Sequence, residues 1–233
     1  MILKKNIREY ANDFFNLMFP RVCINCRTIL VYQEEHLCTA CRLSIPKTGF
    51  HLKKDNPLFQ KFVSEPKVKE VATYMHFNKF GIAQKIIHEL KYNNRPEIGI
   101  MMGRWYAQEL KEAKWNFDMI ISVPLHPSKL KKRGYNQSDQ IALGISEVLG
   151  IPVEKDIASR IRKTTTQTKK SKVQRWQNLD SVYQINKPEQ IEGKNLLIVD
   201  DVLTTGATIG QLVSEISKFP VNNIFIATIA AGQ

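Results

Sequence analysis

The sequence predicts an α/β protein, a parallel β-sheet flanked by helices, with a small cysteine-bearing module ahead of it. From residue 67 onward, short aliphatic or aromatic runs alternate with segments of helical hydrophobic spacing, the pattern of a parallel sheet covered on both faces. All four cysteines lie earlier, between Cys23 and Cys41. Between these regions, "GFHLKKDNPLFQKFVSEP" carries a glycine, three consecutive charged residues and two prolines, which reads as linker and irregular loop. The expected division is therefore residues 1–48 as an N-terminal helix and cysteine module, 49–66 as linker, and 67–233 as the α/β domain. A chain of 233 residues that is 43% hydrophobic can bury one good core plus a smaller module.

The elements follow in chain order. "MILKKNIREYANDFFNLMFP" mixes Lys4, Lys5, Arg8, Glu9 and Asp13 with Ile7, Tyr10, Phe14, Phe15 and Leu17 at helical spacing. It lacks the uncharged core of a signal peptide, and no apolar run reaches the roughly 18 residues of a membrane span. A helix docked on its own domain is expected, in a cytoplasmic protein. Cys23, Cys26, Cys38 and Cys41 are spaced C-x2-C-x11-C-x2-C. Two such knuckles can close a tetrahedral Zn(II) site with no open position, a structural site. The alternatives, two disulfides or a redox C-x-x-C, need an oxidising compartment or a thioredoxin-like context.

In the α/β region, "EVATYMHF" is β-branched and aromatic, a strand. "KFGIAQKIIHELKYNN" and "PEIGIMMGRWYAQELKEA" are helical, the second opened by Pro96. "FDMIISVPL" is a short buried strand, and "NQSDQIALGISEVLGI" a helix ended by Gly150. "NLLIVDDV" is a buried strand, "GATIGQLVSEISKF" a helix and "NNIFIATIA" a last strand. Tyr92, Trp105, Trp115 and Trp176 read as core or surface packing residues before base-stacking platforms.

Charge and motif then point to a site. The formal charge is +12, and between His126 and Arg175 twelve Lys or Arg face four Asp or Glu. That concentration implies a local anion-binding surface, for phosphate, pyrophosphate or nucleic acid. In "LLIVDDVLTTGATI", Leu196 to Val199 form the buried strand, so Asp200 and Asp201 emerge at its carboxyl end, where parallel sheets bind ligands. Adjacent acids repel unless something cationic or polyhydroxylated lies between them; a sugar diol qualifies. Behind them, Thr204, Thr205, Gly206, Ala207 and Thr208 are small and hydroxylated and lead into a helix N-terminus, which is a phosphate cradle. The P-loop pattern and its lysine are missing. A diol beside a phosphate indicates a ribose 5-phosphate.

"LLIVDDVLTTGAT" resembles the phosphoribosyl pyrophosphate (PRPP) signature of type I phosphoribosyltransferases. The whole chain resembles the ComF family, through the cysteine knuckles, "HELKYNNRPEIG", "VPLHPSKLKKRGYNQS" and "RIRKTTTQTKKSKVQRWQNL". That resemblance implies a type I phosphoribosyltransferase-like sheet behind a zinc-ribbon module. It also implies that Asp200 and Asp201 hold the ribose hydroxyls of PRPP and that Thr204 to Thr208 bind its 5-phosphate. The loop with Pro124, His126, Pro127, Ser128, Lys129, Arg133 and Gly134 would hold pyrophosphate, with Arg133 joining the two aspartates as a catalytic group. A mobile loop would contribute Arg160, Arg162, Thr166, Gln167, Arg175 and Asn178. Lys91, in the family's "LKY", is a phosphate-ligand candidate, although a lysine also suits a helix end. His126 between two prolines reads equally well as a rigid turn residue.

Mg(II) is the expected second metal, as a hard ion shared with phosphates. The sequence stops soon after its last strand, so any hood over an acceptor is expected from the zinc module and linker, and the acceptor is unnamed. The family's association with DNA uptake in natural transformation implies a second role, handling single-stranded DNA beside a helicase-type partner. A third reading is a PRPP sensor that binds without turnover.

Overall fold

The computed structural model describes residues 18–161 and 181–232; elements are numbered within them. After the cysteine knuckles and a short helix α1 (Thr39–Leu43) come β1 (Val68–Phe77), α2 (Ile82–Tyr92), α3 (Pro96–Glu112), β2 (Met119–Ser122), α4 (Pro127–Arg133) and α5 (Gln137–Leu149). The chain continues through β3 (Ala158–Arg160), β4 (Tyr183–Ile185), β5 (Asn195–Leu203), α6 (Ala207–Ile216) and β6 (Asn223–Gly232). The expected amphipathic helix at residues 1–17 lies outside the described residues.

The main sheet has the order β1-β6-β5-β2, and every pairing in it is parallel. Strand β5 shows why both faces must be covered. Leu197 and Val199 pack into a core with residues of α2, α3 and α5, while Leu196 and Ile198 pack into another with Leu212 and Ile216 of α6. A continuous aliphatic run is what a strand buried on both faces requires. Pro96 opens α3, and Gly150, at φ +70°, ends α5, as their sequence positions suggest.

Helices α3 and α5 approach unusually closely because each supplies a glycine. A Cβ added at Gly103 would lie 2.2 Å from the Ile141 carbonyl oxygen, and one at Gly144 would lie 2.1 Å from that of Ile100. Backbone cannot move aside as a flexible side chain can. Gly144→Ala is expected to destabilise the fold by about 1–3 kcal/mol, the overpacking range, despite alanine's better helix propensity. Thermal unfolding at fixed pH checks this, and an unchanged midpoint would contradict the close packing.

Two features were not expected from the sequence. β3 and β4 form a separate antiparallel ribbon, each strand three residues long, too short for an alternating pattern to register. Residues 49–66 carry two short 3-10 turns, Phe50–Leu52 and Phe59–Phe62, and are pinned to the sheet. His51, Asn56, Leu58 and Phe62 are buried, and Asn56 Nδ2 donates to the Val71 carbonyl at 2.8 Å. Cys23, Cys38 and Cys41 share a core cluster with α2, α3 and β1 residues, so the cysteine module packs directly on the α/β unit.

Candidate functional site

The site forms where β5 runs past the end of β2. The neighbouring strands hold Ile198 and Val199 in register with Ile121 and Ser122 of β2 and with Ile226 and Ala227 of β6. β2 ends there, but β5 stays paired with β6 through Asp200 to Leu203, so the two acids lie within the strand and do not follow it as the sequence suggested. Each is compensated differently. Asp200 Oδ1 accepts from Ser138 Oγ at 2.7 Å and from the Asp201 backbone N–H at 2.9 Å. Asp201, 8% exposed, pairs with Lys91 Nζ at 3.0 Å. Burial above all, and then the charge of Asp201, pushes the Asp200 carboxyl up to about 7. The repulsion anticipated from the sequence is thus met by a lysine and a serine hydroxyl.

Ser138 was not singled out by the sequence, and the reason is local. Asn136 caps α5, its Oδ1 accepting from the Ser138 N–H at 3.3 Å, while its Nδ2 donates to the Val123 carbonyl at 3.1 Å and to Asp139 Oδ1 at 2.9 Å. That cap turns Ser138 inward across the end of β2. The readable signal was the N-cap pattern of "NQSD", which locates a helix start but not what it faces.

Residues 204–206 form a tight turn ahead of α6. Gly206 adopts φ +83° at the N-cap of α6, a left-handed conformation that side chains disfavour. Thr205 Oγ1 accepts from the Ala207 N–H at 3.4 Å. Thr204, Thr208, Asp200, Asp201, Lys129 and Arg133 are among the residues lining one cavity of about 330 Å³. Lys91, Lys129 and Arg133 also line an adjoining cavity of about 660 Å³, together with Tyr92, Asn94, Lys131, Lys132 and Gly134. Of the aromatics, Trp115 stacks on Phe225 at 5.5 Å and Trp105 lies under Arg42 at 4.4 Å, both packing roles. Tyr92 is instead 69% exposed, at the basic cavity.

The remaining candidates fall in three places. His126 caps α4, its Nδ1 accepting from the Ser128 N–H at 3.2 Å and lying 2.9 Å from Ser128 Oγ. His126 and Ser128 line neither cavity; Lys129 and Arg133, further along the same helix, line both. Arg160 lies on β3, with its guanidinium 5.5 Å from the Tyr183 ring centroid, and lines the smaller cavity. Arg162, Thr166, Gln167, Arg175, Trp176 and Asn178 lie outside the described residues.

The cysteine cluster is separate. The four Sγ atoms lie within 4.8 Å of one another, and Cys26 and Cys38 are 3.6 Å apart, against about 2.05 Å in a disulfide. A tetrahedral zinc with Zn–S near 2.3 Å places its sulfurs about 3.8 Å apart, so the cluster fits that ion. Hydrogen bonds from Thr28 pull the Cys26 thiol down to about 6, and burial pushes Cys41 up to about 12. No helix among the described residues is long and apolar enough to cross a membrane.

A parallel sheet whose β5 carries paired acids near its carboxyl end, ahead of a threonine-rich turn and a helix, has the phosphoribosyltransferase-like fold, and residues 128–233 match the phosphoribosyl transferase domain family. The chain belongs to the ComF family. It is 30% identical to DNA utilization protein YhgH of Shigella flexneri, over 84% of this chain and 90% of that protein. It is 26% identical to Competence protein F of Haemophilus influenzae over 94% and 98%, and 24% identical to Competence protein ComFC of Bacillus subtilis over 81% and 75%.

Proposed function

We propose that this chain binds PRPP at the carboxyl end of β5 and transfers its phosphoribosyl group to an acceptor with release of pyrophosphate. The observation carrying this reading is the side-by-side placement of Asp200 and Asp201 with the Thr204–Thr208 turn, in a cavity that Lys91, Lys129 and Arg133 also line. Ionised Asp200 and Asp201 accept from the ribose hydroxyls, and the turn's N–H groups and hydroxyls take the 5-phosphate. As the bond at the anomeric carbon breaks, positive charge grows on the ribose ring and negative charge on the leaving pyrophosphate. Lys129 and Arg133, both outside the acid pair, stabilise the latter. The two carboxylates and the ligand's phosphates are hard oxygen donors that suit Mg(II), which would supply further neutralisation at the leaving group. The cysteine cluster holds a structural zinc, and the protein works in the cytoplasm.

A second reading, in which the chain handles single-stranded DNA beside a helicase-type partner, is favoured by the basic cavity beside exposed Tyr92. Relatives named for DNA utilization and competence support it. Basic grooves with aromatic platforms suit single strands. A sensor that binds PRPP without turnover differs only in lacking the chemical step.

Calorimetric titration of PRPP with Mg(II) tests the proposal. Wild type should bind, and the Asp200→Asn, Asp201→Asn double variant should bind roughly thirtyfold more weakly or worse. Pyrophosphate release with an acceptor separates the enzyme from the sensor. Charge reversal at Lys131 and Lys132 should weaken an oligonucleotide and flatten its salt dependence. Failure of PRPP to bind either protein overturns the enzyme and sensor readings together.

A further inference from the structure

The cradle between β5 and α6 has one conspicuous chemical gap. From Val202 to Gly210 there is no lysine or arginine, so the turn itself meets a phosphate with neutral donors only. Phosphate-binding loops of the P-loop type carry their own lysine a few residues along. Here an ammonium arrives from a distant part of the chain. Lys61, in a 3-10 turn spanning Phe59–Phe62, donates from Nζ to the Thr204 carbonyl oxygen.

The backbone that delivers Lys61 is held firmly, whereas its side chain is exposed. Asn56, 2% exposed, ties the segment to β1, and its Oδ1 accepts from the Leu58 and Phe59 N–H groups at 3.0 and 3.2 Å. Phe62, 1% exposed, packs in the core that contains Ile209, Leu212 and Ile216 of α6. A Cβ on Gly206 would lie 3.3 Å from Phe62 Cζ and 3.5 Å from Lys61 Cβ. The stretch ahead of the sheet is therefore fitted against the turn itself, and the glycine permits that approach.

We propose that Lys61 supplies the cation of the 5-phosphate subsite, exchanging the Thr204 carbonyl for an oxygen of the phosphate monoester when ligand binds. This rests on the PRPP reading above and adds to it a ligand from outside the signature stretch. The exchange is favourable because a phosphate monoester carries about −1.5 to −2 charges near pH 7, and charge-assisted hydrogen bonds are roughly twice as strong as neutral ones. A lysine suits the task, being a compact charge on a flexible stem. It remains hydrogen-bonded in both states, so its reorganisation on binding is small.

The test is titration of ribose 5-phosphate and, separately, inorganic pyrophosphate into the full-length protein, its Lys61→Met variant and its Lys61→Arg variant. Lys61→Met should weaken ribose 5-phosphate about tenfold at low salt, with a larger effect at pH 8 than at pH 5, because the monoester's second proton leaves near pH 6. Pyrophosphate affinity should stay unchanged, and Lys61→Arg should recover most of the loss. Equal ribose 5-phosphate affinity in wild type and Lys61→Met, or equal weakening of both ligands, overturns the assignment while leaving the PRPP reading intact. If neither ligand binds wild type, the PRPP reading and this inference fall together.

Discussion

Stripping metal from the purified protein with a strong chelator is expected to release one zinc per chain and to lower the thermal midpoint of the whole molecule. Structural zinc contributes folding free energy directly, with apparent values of about 10–16 kcal/mol for isolated finger peptides at neutral pH. In this chain Cys23, Cys38 and Cys41 are buried in the core cluster that also contains Ile86, Met102 and Tyr106. The knuckles cannot loosen without exposing part of that cluster. Lys85 Nζ also donates to the Asn25 carbonyl at 2.8 Å, a further tie between the module and α2. Cys38→Ser with Cys41→Ser should reproduce the chelator's effect in calorimetry and leave less than one zinc per chain by elemental analysis. A metal-free protein that melts like the untreated one would show that the cysteines merely fill space.

Much of this arrangement was legible in the residues, and what was not has physical reasons. The β5 run declared itself because four consecutive aliphatics have no solvent face, but paired acids read as the end of a buried run, so the strand's continuation through them to Leu203 was not legible. The parallel sheet followed from strands separated by helix-length segments. Contacts between residues distant in sequence left no such mark. Ser138 faces Asp200 across 62 positions, and Lys61 meets Thr204 across 143; neither has any local signature. Residues 49–66 look like linker because their composition is that of a loop. Composition reports backbone regularity, whereas Leu58 and Phe62 are buried by tertiary packing. Tyr92 packs at the surface, its ring 5.0 Å from that of His88 and 5.9 Å from the Arg133 guanidinium, contacts that its place at the end of α2 does not reveal.

Asp200→Asn is expected to raise stability at alkaline pH while weakening PRPP binding. The wild-type carboxyl is half-buried beside Asp201, and burial with that neighbouring charge pushes it up to about 7, whereas an unfolded chain holds it near 3.9. A carboxyl raised on folding contributes stability that is fully present below about pH 4 and is lost as pH rises through about 7. At pH 8 the ionised group is therefore a burden on the native state, on the order of 2–4 kcal/mol. Asparagine is nearly isosteric, and its Oδ1 can still accept from Ser138 Oγ and the Asp201 N–H, the two contacts Asp200 makes. The variant should accordingly melt several degrees above wild type at pH 8 and close to it at pH 4, read by scanning calorimetry. Ligand affinity should move oppositely in wild type, weakening as pH falls below about 7, because a protonated Asp200 no longer offers two acceptor oxygens to the ribose hydroxyls. Equal melting of both proteins at pH 8 would mean that Asp200 is comfortably ionised in the empty site, and the pH dependence of binding would then need another group. A carboxylate kept where it destabilises the fold is what a binding site requires when its ligand, and not the protein, completes the hydrogen bonding.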